Sequence, residues 1–456
     1  MPMAADDIVL ASQDGKPIWL QRRIEGTDVT LVTSPLPWFT AEDHIYENFQ
    51  ANGFLRLLPL LQFIRNLTSE ADWQSPPTPA CLLVDDPSLH TRTYGHLDFH
   101  RLAVDAREQG FYVSVATVPL DSWWINRQTR ELFRENAPRV SVLLHGNDHT
   151  YQELARSLPD AENLSLLAQA LRRSRRLEQR YGMHVCRVME CPHGSVSVAM
   201  LEPMARLGYE AVFASTAHLL RFNPGAAFRS SLGAEHTLLE KKAVPVIPRI
   251  RAQAGWQTEV RLAAFLGQPL ILAAHHWDFA DQRHLAADFV RIVNSLPNVR
   301  WGTPTDVARA CYQFRQKGDV LHLKPGSRRV DVRIPHATRW LMIHRPWLRG
   351  TLESELLVVR TQENELFCTA SSADAVGPIP VQGGAALQIS SSVLNRVDCD
   401  SVLPPRLRYW PLVRKLMVEI RDRSRVPFHM WRPVRLNDTP AGKRQVAEGV
   451  NRGSAC

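Results

Sequence analysis

Asp85 and Asp86 end the apolar run Ala80-Cys81-Leu82-Leu83-Val84, and Pro87 follows them at once. An apolar run stopped by two acids and a proline predicts a buried strand whose tip delivers two carboxylates into a loop. Two further runs end in histidine: Val140-Ser141-Val142-Leu143-Leu144 opens into His145-Gly146-Asn147-Asp148-His149, and Leu270-Ile271-Leu272-Ala273-Ala274 opens into His275-His276-Trp277-Asp278. Carboxylates and imidazoles gathered at strand tips are the raw material of a metal-hydrolase site.

Spacing alone is weak support, because seventeen histidines scattered over 456 residues give about 0.6 pairs four residues apart by chance. His96 and His100 form such a pair inside a predicted helix and read as ordinary surface or half-buried residues, and Asp6-Asp7 is a decoy acid pair. Location separates the other groups from these. Asp85-Asp86, His145 with His149, Pro192-His193-Gly194 and His275-His276 each begin where an apolar strand stops. In parallel α/β barrels the catalytic groups come from the C-terminal ends of different strands, which share one mouth.

The elements that would hold them alternate between strand and helix from residue 80 to about 313. About seven strands separated by helices predict a parallel sheet with right-handed crossovers, either a barrel or an open doubly wound sheet. Residues 1–67 read as a small N-terminal α/β element, with strands at 17–20 and 29–32 and a helix over 45–64 that Pro59 should kink or divide. Residues 68–79, ending in Ser75-Pro76-Pro77-Thr78-Pro79, read as a linker. Runs at 330–334, 340–344, 356–359 and 386–389 predict a β-rich C-terminal domain over 319–435, and residues 436–456 read as a disordered tail. An amphipathic helix is expected over 409–422; docking onto the barrel is the preferred reading, and contact with a membrane surface is the alternative.

Composition bounds the class. Hydrophobic residues at 45% and charged residues at 22% match a soluble globular protein, and no apolar run approaches the ~20 residues needed to cross a bilayer. The N-terminus lacks a basic start followed by an apolar core, and the seven cysteines (81, 186, 191, 311, 368, 399 and 456) are scattered, so reduced thiols and a cytoplasmic setting are expected. The net charge of +8 is mostly dispersed arginine without a recognisable nucleic-acid reader motif, so no nucleic-acid partner is expected.

The ordered set resembles the polysaccharide deacetylase family, metal-dependent carbohydrate esterases that include chitooligosaccharide and peptidoglycan deacetylases. Val84-Asp85-Asp86 matches its first motif, His145-Gly146-Asn147-Asp148-His149 its second, Pro192-His193-Gly194 its third and Ile271-Leu272-Ala273-Ala274-His275 its last. The resemblance covers residues 80–313 and implies an irregular deacetylase-type (β/α)7 barrel. It implies Asp86, His145 and His149 as ligands of a divalent metal, with Zn²⁺ preferred and Co²⁺, Ni²⁺ or Fe²⁺ as alternatives. Asp85 would be the general base and His275 the general acid, with His276 its nearest rival. His90, Tyr94, Glu190, Pro192, His193 and Trp277 would line the substrate groove, and Asp148 and Asp278 would orient imidazoles from behind. The implied activity is removal of acetyl groups from an N- or O-acetylated sugar or polysaccharide. A catalytically inactive barrel that binds carbohydrate or serves envelope assembly is the alternative.

This chain departs from the family pattern at several points. Met189 stands where an arginine that orients the base is normal, with Arg187 two residues earlier. Pro87 replaces a glycine and Val84 an aromatic residue, and no tryptophan follows Tyr209, leaving Trp277 to supply that apolar wall. These differences mark a divergent branch.

Overall fold

The computed structural model describes residues 4, 6–35, 38, 54–68, 73–156, 158–226, 235–281, 284–406 and 409–423. The expected tail at 436–456 and the first half of the helix expected over 45–64 lie outside the described residues.

The central sheet is all parallel. Its strand order is Val246–Pro248, Ala211–Ala214, Val185–Glu190, Val140–His145, Val113–Thr117, Thr78–Asp85, Leu270–His275 and Ile250–Arg251, with Val299–Trp301 pairing on the lower part of Thr78–Asp85. The two edge strands are consecutive in sequence, joined by Arg249 alone, so the sheet curls into a nearly closed barrel whose seam lies at that residue. Helices such as Phe99–Gln109, Asp160–Tyr181, Trp256–Leu266 and Leu285–Ser295 follow the strands and cover the outside, as parallel crossovers require.

Side-chain alternation explains what faces where. Cys81, Leu83, Leu143, Cys186, Val188, Phe213, Ile271 and Ala273 pack into one buried cluster inside the barrel. Ala80, Leu82, Val84, Val142, Leu144, Leu270 and Leu272 point the other way into the larger core under the helices. Continuing the inner set by two residues on four strands reaches Asp85, His145, Glu190 and His275. The strand period therefore aims all four at the same end of the barrel interior.

Flanking this barrel are an antiparallel three-stranded sheet, Ile8–Gln13, Lys16–Ile24 and Thr27–Val32, and two four-stranded sheets in the C-terminal part. Those two sheets sandwich Leu321, Leu323, Val330, Val332, Leu341, Ile343, Leu357, Val359 and Ile389. Short runs at Tyr312–Lys317, Val320–Pro325, Glu365–Ser371 and Ala375–Pro380 are further strands of this sandwich that the sequence pattern did not reveal. Tyr312–Lys317 straddles the boundary expected at 313. The helix Phe54–Thr68 continues through Pro59 without dividing there, with Leu57, Leu58, Leu60 and Leu61 packed against Leu262, Phe265 and Leu266. No helix among the described residues is long and apolar enough to cross a membrane.

Candidate functional site

Strand alternation alone would send Asp85 and Asp86 to opposite faces. Asp86 escapes this because its backbone turns to φ 80°, a left-handed conformation rare outside glycine, while its N–H still bonds to the Ala116 carbonyl at 3.1 Å. That turn swings its carboxylate over the barrel mouth. Strain of this kind, about 1–3 kcal/mol, persists only where surrounding structure holds it.

The Asp86 carboxylate meets three imidazoles. Its Oδ1 is 3.1 Å from His145 Nε2 and 3.0 Å from His149 Nε2, and its Oδ2 is 3.6 Å from His275 Nε2. Ligand atoms of Asp86, His145 and His149 all lie within 4.8 Å of one another. Burial acts to raise the Asp86 carboxyl, but His149 and His145 beside it hold it well below the usual carboxylate range. Burial keeps His149 below its ordinary value, which favours the neutral ligating form, whereas Asp86 and Asp85 raise His145 in spite of its burial. His145 Nδ1 lies 3.0 Å from the Glu190 carbonyl, so the tautomer with hydrogen on Nδ1 leaves the Nε2 lone pair facing the cluster.

The loop carrying the histidine pair is held from below by Glu153, which the sequence reading missed. Its buried carboxylate accepts the backbone N–H groups of Asn147 at 2.8 Å, Asp148 at 2.9 Å and His149 at 3.2 Å. Gly146 makes this possible, because a Cβ there would fall 2.3 Å from Glu153 Oε2 at a backbone φ of 67°. Asp148 turns away from the imidazoles and pairs with Arg173 at 2.5 Å.

Asp85 is 1% exposed, and neither of its oxygens has a hydrogen-bond partner among the described residues. Its countercharge is Arg249, 3.4 Å from Oδ2, whose guanidinium also ion-pairs with Glu190. Arg249 itself is 8% exposed. Burial would lower the Arg249 guanidinium, but Glu190 and Asp85 raise it. Burial pushes the Glu190 carboxyl well above its ordinary value, with Arg249 opposing and Asp85 adding to the rise. Arg249 occupies the barrel seam and reaches the acid from a different strand than the one holding Met189. Arg187 instead pairs with Glu178 on the helix side. The signal was present: Val244-Pro245-Val246-Ile247 is an apolar run, and Arg249 sits at its tip.

The tandem histidines separate. His275 neighbours Asp85 across the parallel ladder, is 32% exposed, and has Asp278 Oδ2 accepting its backbone N–H at 2.7 Å and lying 3.9 Å from its Nδ1. His276 is buried on the other side, packed edge-on against Tyr94 and 3.7 Å from Asp422 Oδ2. Tyr94 is fully buried and donates its hydroxyl to Asp422 at 2.6 Å, and Trp277 packs on His276 and His96. These three therefore stand outside the Asp86 cluster. His193 remains beside it, ring to ring with His149 at 5.0 Å, on a turn begun by buried Pro192. His90 packs at a tilt against Trp123 and Trp124 while its Nε2 meets the Asp121 carbonyl at 3.1 Å.

The C-terminal helix Trp410–Arg423 crosses this mouth. Lys415 pairs with buried Asp121 at 2.8 Å, Asp422 meets Tyr94 and His276, and Arg414 donates to the His149 carbonyl.

The donor set, one carboxylate and two imidazoles sharing a point, fits a divalent cation of the zinc type. No protein-family profile matches the chain, and no curated protein matches it. Among solved structures it is similar to a family 4 carbohydrate esterase from Streptomyces lividans in complex with acetate, 14% identical over 50% of this chain and 94% of that one with a TM-score of 0.31. It is similar also to a CE4 esterase of Streptococcus mutans, 12% identical over 50% of this chain and 85% of that one with a TM-score of 0.29. A 4-alpha-glucanotransferase from Thermococcus litoralis matches at 11% identity, covering 51% of this chain and 40% of that one, with a TM-score of 0.34. Likenesses of this size, spread over proteins of different activity, leave the chemistry to be argued from the site.

Proposed function

We propose that the barrel mouth is a metal-dependent hydrolase site that removes an acetyl or other small acyl group from a carbohydrate. The convergence of Asp86 Oδ1 with both His145 Nε2 and His149 Nε2 carries this reading. Asp86, His145 and His149 would hold a divalent cation, Zn²⁺ first by donor type, and such an ion supplies Lewis-acid polarisation of the acyl carbonyl.

The remaining steps belong to the chain. Asp85 takes the proton of the attacking water. Both its oxygens are buried without hydrogen-bond partners among the described residues, which leaves their lone pairs free to accept that proton, while Arg249 holds the carboxylate in place and offsets its charge. Arg249 is shared with Glu190, which fixes the guanidinium beside Asp85. His275, adjacent in register and open to solvent, donates a proton of its own to the departing amine or alcohol, with Asp278 behind it, and exchange with water then strips Asp85 and reprotonates His275. His90 with Trp123 and Trp124, and His193 with Tyr151, offer ring faces on which a sugar can stack.

The test is metal analysis of the purified chain beside a screen for acetate release from acetylated sugars. Bound divalent metal that disappears in both Asp86→Ala and His145→Ala is expected. A protein without divalent metal, or with content unchanged in those variants, sinks the reading. Metal held without any acyl release assigns the barrel to carbohydrate binding instead.

A further inference from the structure

The C-terminal helix is docked inside out. Surface helices bury an apolar stripe and show charge to water. Here the buried or half-buried stripe is Pro411, Arg414, Lys415, Val418, Glu419, Arg421 and Asp422. The barrel mouth supplies a partner for its charges: Asp121 for Lys415, Tyr94 and His276 for Asp422, and the His149 carbonyl for Arg414. The orientation is thus specified from both sides. On the outer side Tyr409 is 77% exposed, Trp410 64%, Leu416 62%, Met417 52% and Ile420 53%, with Leu412 and Val413 beside them. These recur at helical spacing as one continuous apolar face.

Charge identifies what covers it. Residues 406–456 contain twelve Lys and Arg against four Asp and Glu, which is the whole net charge of +8, so residues 1–405 are balanced. The apolar face therefore sits within a strongly cationic stretch of the chain. A second copy of the chain would bring like charge against like charge. An anionic bilayer satisfies both features, accepting apolar side chains at the acyl boundary and basic ones among its headgroups. Fourteen residues span ~21 Å, short of the ~30 Å hydrocarbon core, so the helix can only lie in the surface plane. Trp123 and Trp124, exposed on the loop that carries Asp121, add interfacial side chains at the same end of the barrel.

We propose that the outer face of the helix Trp410–Arg423 docks the protein on an anionic lipid surface, with the barrel mouth beneath the docked helix. The surface does not depend on the chemistry proposed for the site, and its test needs no turnover. Full-length protein is sedimented with vesicles of phosphatidylcholine alone or of equimolar phosphatidylcholine and phosphatidylglycerol, at low and high salt. Binding to the anionic vesicles alone, weakened by salt, is expected. Leu416→Glu combined with Met417→Glu should lower partitioning roughly tenfold or more with unchanged circular dichroism and melting temperature. Replacing Arg425, Arg432 and Arg435 by Gln should lower it on the order of 100-fold. Absence of binding at low salt, equal binding to both vesicles, or indifference to Leu416→Glu with Met417→Glu overturns the proposal. So does a dimer that those two substitutions dissociate, which would give the face to a second copy.

Discussion

Two adjacent acids receive different surroundings within one residue of each other. Asp85 stays on the strand, buried against Arg249, while Asp86 leaves it at positive φ and meets imidazoles. Their substitutions should therefore separate. Asp85→Asn is expected to keep its metal and lose acyl release by about 10²–10⁴ in kcat, whereas Asp86→Ala loses both; metal content read beside kcat distinguishes them. Arg249→Ala strands two buried carboxylates and should cost about 3–5 kcal/mol in chemical denaturation, with Arg249→Lys recovering part of it. A melting curve unchanged in Arg249→Ala would remove the positioning role given to it. Asp85, Asp86, His145 and His275 could be singled out because they stand where an apolar strand stops, and His149 because it follows His145 at a four-residue spacing. Arg249 was not singled out, although it obeys the same rule, because a lone arginine after a proline carries no spacing signature.

At the scale of elements, the histidine loop and the C-terminal helix each depend on one buried acid. Gly146→Ala forces a Cβ against Glu153 at a backbone angle alanine resists, and should destabilise by about 1–3 kcal/mol while loosening metal retention, measurable by chelator competition. Asp422 faces Tyr94, His276 and Arg421, and Glu419 acts on the same tyrosine. Burial would raise its carboxyl, but His276, Arg421 and Tyr94 hold it below the ordinary value. A carboxyl depressed in the folded state stabilises helix docking above its unfolded value, and that contribution disappears as pH falls through the lowered value. Amide protection over 410–423 should therefore fall below about pH 4, and Asp422→Asn should lose protection already at neutral pH; hydrogen exchange reads both. The element was predictable as an amphipathic helix from periodicity. Which face it buries was not, since periodicity marks two faces and the partners of the charged one lie more than a hundred residues away along the chain.

Across the whole molecule, the barrel forms because consecutive strands pair in parallel and the chain passes from one sheet edge to the other through a single residue, Arg249. The parallel α/β class, the β-rich C-terminal part and the placing of acids and imidazoles at strand tips were legible in the sequence alone, because strand period, apolar runs and their polar terminators are local properties. The count of strands in the C-terminal sandwich was not, since Glu365–Ser371 and Ala375–Pro380 show little apolar alternation and gain their place by pairing. Only the tertiary structure decided that His275 and His276 part company, that Tyr94 holds a helix instead of facing the Asp86 cluster, and that an arginine from the seam is the countercharge of Asp85. Each of these depends on which distant groups share a buried volume. Burial makes an unpaired charge costly enough to select its partner, whatever the separation along the chain.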